Sequence, residues 1–196
     1  MYSLQNVAIA YAKSAKRILG EDDSFLNTNP EVMPIFVSLL LQSLEISLKH
    51  LGIESGLFTS KEARNKQLTG NGHGIEEIAG LVNSKLGANE DYPVITALTN
   101  GLPPERRTYE YVQKTIFSPN FASTRQAYQS RRLGYAEVQS FEILFDKKSG
   151  VIPWVVAVED VANNLPIAVD IVSQWKKSKS SSPHFAIWYK DIGSNP

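Results

Sequence analysis

A chain of 196 residues with 42% hydrophobic and 20% charged content is long enough to bury a sizeable core and has the make-up of an ordinary globular domain. Twenty Lys and Arg balance twenty Asp and Glu, which excludes a global field drawing the protein to nucleic acid or an anionic membrane and leaves only local patches for such work. The absence of cysteine excludes disulfides, thiol nucleophiles and thiolate zinc sites, and it fits a reducing compartment.

Residues 2–19 read as a first helix, with Leu4, Val7, Tyr11, Ala15 and Ile18 on one face, Lys13, Lys16 and Arg17 outside, and Gly20 as the stop. Ala8, Ala12 and Ala15 are small enough to let another helix approach closely. After a polar connection over 21–32, Pro34 sits where the first turn of a second long helix tolerates it. This central helix starts at Met33 and runs to about Gly52–Gly56. Val37, Leu41, Leu44, Leu48 and Leu51 recur at steps of four and three, the spacing of one helical stripe. Leu39, Leu40 and Ile46 widen that stripe, so the helix is expected to be covered on most sides. A narrow polar line, Ser38, Gln42, Glu45 and Lys49, runs against it and is expected to face a partner, a cavity or a site, because unpaired buried charge is costly.

The polar, glycine-rich stretch 61–74 leads into a shorter helix with Ile75, Ile78, Val82 and Leu86 on one face. A further turn or two over 91–102 and a helix from near Pro104 to before Pro119 complete the middle of the chain. Phe141, Ile143 and Phe145 alternate, which suits either a short strand with DKKSG as its turn or an irregular segment packing its aromatics on helices. From Pro153 a helical pattern returns in Val155, Val158, Ala162, Leu165, Val169 and Val172, with Pro166 placed to kink or split it. KSKSSSP, 177–183, reads as a polar linker to an aromatic tail containing Phe185, Ile187, Trp188 and Tyr189. The expected class is all-α: a bundle of about five to six helices over 1–177, with a hairpin or irregular segment at 120–150, followed by linker and tail over 178–196. The N-terminus lacks the apolar run and cleavage site of a signal peptide, and the most apolar run, 32–41, falls short of the ~20 residues of a membrane span. A cytoplasmic protein without a membrane segment is therefore expected. The narrow alanine face and the aromatic tail both suit burial in a homodimer.

The candidates for chemistry are few. His50, His73 and His184 lack ligand spacing, so no metal site is expected, and no nucleophile elbow, Walker loop or dinucleotide fingerprint announces a cofactor. Gly70, Gly72 and Gly74 surround His73 just before a helix, with Arg64 and Lys66 upstream. Free N–H groups at a helix start, supplemented by basic side chains, suit an anion. If Glu45 and Lys49 face this loop, they join Arg64 and His73 in one polar pocket. The same residues also fit a plain loop beside an i,i+4 ion pair. A second candidate lies in 105–132, where Arg106, Arg107, Lys114, Arg125, Arg131 and Arg132 outnumber Glu105 and Glu110 and are interleaved with Tyr109, Tyr111, Phe117, Phe121 and Tyr128. Cations for phosphates with rings for bases make a nucleic-acid contact surface, and the alternative is a solvated helix face over core aromatics.

A long helix carrying LLLQSLEISLKHLGIESG, a short basic loop, and GHGIEEIAGLV opening the next helix resemble the HEPN superfamily over residues 33–86, with RRLGY at 131–135 as a fainter likeness. The resemblance implies an all-α fold and a homodimer. Active members are metal-independent endoribonucleases using an arginine and a histidine a few residues apart, which would assign catalysis to His73 and Arg64 with Glu45 orienting them. Here eight residues separate Arg64 from His73, and Lys66, which stands nearer, is not the family's arginine. The chain accordingly resembles more closely the non-catalytic members, binding or regulatory modules of stress and defence systems that meet a nucleotide, an RNA or a cognate protein. For such a module the expected ligand contacts are Lys49, Lys66, Gly70, Gly72, His73 and Gly74.

Overall fold

A computed structural model of the chain describes residues 3–20, 24–69, 74–87, 97–98 and 152–181. Within them the architecture is all-α, as the periodicity requires, and the described residues contain no strand. The helices are α1 (Leu4–Leu19), the short α2 (Ser24–Thr28), α3 (Met33–Glu54), α4 (Ile75–Lys85), α5 (Ile152–Asn163) and α6 (Leu165–Ser181), with 3-10 turns at Pro30–Val32 and Glu62–Arg64. The segment 120–150, the expected helix from Pro104 and the tail 182–196 lie outside the described residues.

The core forms around α3. Val37, Leu41, Leu44, Leu48 and Leu51 are all buried, as are Phe36 and Leu40 beside them. Helices α1, α4, α5 and α6 all pack against α3, with α1 making the longest seam. Each buried leucine contributes about 1.5–3 kcal/mol, so this one stripe supplies a large share of the folding energy. By length and composition Ile35–Glu54 would also cross a membrane, yet 72% of its apolar window is buried by the surrounding chain. The apolar character therefore extends well beyond the 32–41 run.

Helix α1 begins at Ser3, whose hydroxyl accepts the Asn6 N–H at 3.1 Å, and stops at Gly20, where φ is +77°. Its buried residues are Ala8, Ala12, Ala15 and Leu19, whereas Leu4 is exposed and Val7, Tyr11 and Ile18 are half-buried. The buried face is thus rotated from the one its larger side chains suggest. Close approach to α3 explains the rotation: Ser43 reaches across the seam and donates to the Ala8 carbonyl at 2.8 Å, and only small residues leave room for that. Lys16 pairs with Glu159 at 2.7 Å, tying α1 to α5 across the outside of the bundle.

On α4, Ile75, Ile78, Val82 and Leu86 are all buried, the face expected from their spacing. The helix ends at Gly87, with φ +68°, whose N–H bonds the Ser84 carbonyl at 2.8 Å. Pro166 splits the last helical run rather than kinking it: α5 stops at Asn163 and α6 starts at Leu165, which places Pro166 in a first turn that needs no N–H from it. Asn164 fills the junction, its amide donating to the Asp160 carbonyl at 2.9 Å. Helix α6 continues to Ser181, so the stretch expected to be linker from 177 onward begins as helix. Lysine and serine tolerate a helix that already rests on α3 and α5, and composition alone does not show where that support ends.

Candidate functional site

The polar line on α3 resolves into a buried ion pair. Lys49 Nζ lies 2.6 Å from Glu45 Oε1, with the side chains only 17% and 7% exposed. One turn of helix brings them together, as an i,i+4 spacing allows. Among the described residues no hydrogen bond or ion pair joins Glu45 to Arg64, and His73, the fourth member of the pocket expected from the sequence, lies outside them. Glu45 and Lys49 belong to the packed helix, whereas Arg64 is exposed on a turn.

That turn is built in steps from the end of α3. Gly56 adopts φ +67°, the left-handed conformation that glycine enters without strain. Its N–H bonds the Ile53 carbonyl at 2.9 Å, and the Leu57 N–H bonds that of Gly52 at 2.9 Å, which together make a Schellman cap. Phe58 then folds back over the helix end and is buried there. Gly52 is what permits this, since a Cβ in its place would stand 2.0 Å from the Phe58 ring. The Lys176 ammonium of α6 donates to the Gly56 carbonyl.

Thr59 next opens a reciprocal cap with Glu62. The Thr59 N–H donates to Glu62 Oε2 at 2.7 Å, and the Glu62 N–H donates to Thr59 Oγ1 at 3.2 Å. Glu62 Oε1 also takes Lys85 Nζ of α4 at 2.9 Å. The Thr59 N–H, then Lys85, then the Thr59 hydroxyl hold the Glu62 carboxyl down at about 2. Ala63 points inward and is buried, while Lys61, Arg64, Asn65 and Lys66 are exposed. Lys61, Arg64 and Asn65 line one open depression. Among the described residues, the side chains of Lys61, Arg64 and Lys66 have no ion pair or hydrogen bond.

Of the expected ligand contacts, Gly70, Gly72 and His73 lie outside the described residues, as do Arg106, Arg107, Arg125, Arg131 and Arg132. Gly74 caps α4 with φ −73°, open to any residue, and its N–H is taken by the Thr69 carbonyl at 2.9 Å. Its own amide therefore does not add to an anion nest. Lys66 shares the basic turn with Arg64, while Lys49 does not. Lys61, Asn65 and Glu62 were not singled out in the sequence. The Thr59-x-x-Glu62 spacing of a capping box was the readable sign that this stretch is ordered.

A separate group stands out on α3. His50 is buried, and its Nδ1 has no hydrogen-bond partner. Burial lowers its pKa below the ordinary 6.5, and the charge of Glu54 opposes that shift. Among the described residues no three His, Cys, Asp or Glu side chains are grouped to hold a metal ion. No protein-family profile, curated protein or solved structure matches this chain.

Proposed function

We propose that the protein is a HEPN-like, homodimeric binding or regulatory module of a cytoplasmic stress or defence system, and that its basic turn engages the phosphates of a nucleotide or RNA partner. The observation that carries the anion reading is the pairing of Lys61 and Arg64 around one open depression, with Lys66 alongside and no carboxylate neutralising any of the three among the described residues. Cations left uncompensated on an ordered turn attract phosphate oxygens, and the arginine fork adds bidentate geometry. The all-α bundle around α3 and the family resemblance over 33–86 support the module.

Titration of nucleotides and short RNAs tests the reading. A binding ligand raises the melting temperature and moves the amide resonances of residues 61–66, and Arg64→Ala weakens both responses. No response to any of these ligands leaves only the protein-partner version. Light scattering after size exclusion gives twice the chain mass if the module is a dimer, and a clean monomer at micromolar concentration removes that part.

The second reading is a metal-independent endoribonuclease, in which Arg64 stabilises charge on the phosphorane, His73 moves the proton and Glu45 orients them. The exposed, unpaired Arg64 suits that role. Glu45 is buried and paired with Lys49, and the eight residues between Arg64 and His73 depart from the spacing of active members, so the module is preferred. RNA cleavage in EDTA that is lost in His73→Ala would reverse the preference.

A further inference from the structure

We propose that Glu62 is the positioning residue of the basic turn, holding the 3-10 geometry that sets Lys61 and Arg64 on the same side. The inference rests on the anion-binding reading above and adds a role for the only acid among residues 61–66.

A 3-10 helix has three residues per turn, so side chains three apart eclipse one another. Lys61 and Arg64 are three apart, the Arg64 N–H bonds the Lys61 carbonyl at 3.2 Å, and both side chains line the same depression. In an extended segment the two would diverge. Short 3-10 turns have poor hydrogen-bond geometry of their own, so what anchors them from outside decides whether they persist. Ala63 supplies one anchor by burial. Glu62 supplies the polar one: its carboxylate takes the Thr59 N–H, the Thr59 hydroxyl at 3.1 Å and Lys85 Nζ from α4. The turn is thereby fastened at its start to its own cap and sideways to a core helix.

Electrostatics alone demands the opposite consequence. A carboxylate beside Lys61 and Arg64 repels an anion, so removing it should tighten anion binding. If Glu62 instead sets the geometry, removing it weakens binding although the patch becomes more positive. The sign of the change separates the two roles.

The experiment is a sulfate titration of the full chain, followed through the amide resonances of Ala63, Arg64 and Asn65, with Leu44 and Leu48 of α3 reporting an intact fold. Sulfate stays fully ionised and has no base or sugar to complicate the contact. Glu62→Ala is expected to bind about fivefold more weakly than wild type, the scale of a lost helix cap, with the three turn amides displaced before any sulfate is added. Lys85→Met is expected to weaken binding in the same direction, and Lys85→Arg, which keeps the clamp, to restore it. Sulfate binding as tight as wild type or tighter in Glu62→Ala overturns the positioning role and leaves the anion site standing. A wild-type protein that ignores sulfate overturns the anion-site reading, and the positioning role with it.

Discussion

The seam between α1 and α3 and the basic turn that follows α3 are joined by the same helix and held by different forces. In the seam, Ala8, Ala12 and Ala15 lie against a helix whose Leu40, Leu44 and Leu48 are completely buried, and a polar contact across it, Ser43 to the Ala8 carbonyl, is itself buried. In the turn, only Ala63 goes inward, and order comes from the Thr59–Glu62 cap and the Lys85 clamp, all at the surface. Apolar burial supports the first region and does not depend on charge screening. The second depends on hydrogen bonds and charges that water and salt compete for, and exposed ion pairs contribute little to stability on their own. A region held in this way is free to present unpaired cations, which the seam could never contain.

The comparison is broken most severely by cutting into the seam. Leu44→Ala removes a completely buried side chain at the centre of α3 and should cost about 2–5 kcal/mol, read as a lowered denaturation midpoint at unchanged slope. A loss below about 1 kcal/mol would mean that the site collapses onto its neighbours and that α3 is not the packing centre described.

Gly52→Ala tests where the two regions meet. Its Cβ would enter the space of the Phe58 ring, so the ring must move and the Schellman cap with it. The expected loss is about 1–3 kcal/mol, the usual range for overpacking, accompanied by shifted resonances at 61–66. Displaced turn resonances with little loss of stability would show that the end of α3 positions the turn without supporting the core.

The smallest expected effect is a dependence on pH. Burial makes the charged form of His50 unfavourable in the folded chain, and Glu54 offsets this in part. The unfolded chain then binds the proton more readily, so stability is lost as pH falls below 6.5, by no more than about 1.4 kcal/mol per pH unit for one proton. Melting temperature measured from pH 7.5 to 5 should fall less steeply in His50→Phe than in wild type, and Glu54→Gln should make the fall steeper. Equal slopes in wild type and His50→Phe would show that His50 takes up its proton as readily in the folded chain as in the unfolded one.

The sequence by itself determined what depends on periodicity and on local caps. The stripe Val37–Leu41–Leu44–Leu48–Leu51, the face Ile75–Ile78–Val82–Leu86, the stop at Gly20 and the break at Pro166 were all legible, because helical spacing and the backbone demands of glycine and proline are written in neighbouring residues. The tertiary structure decided which side of α1 is buried, since only the approach of α3 makes three alanines outweigh Val7, Tyr11 and Ile18. The Glu45–Lys49 pair was already legible in its i,i+4 spacing, whereas the tertiary structure decided that Lys61 and Arg64 share one depression while Glu62 turns to Lys85. These are contacts between groups on different elements, or on a turn that an outside anchor holds in place. Their energies depend on distance through space, which spacing along the chain does not encode.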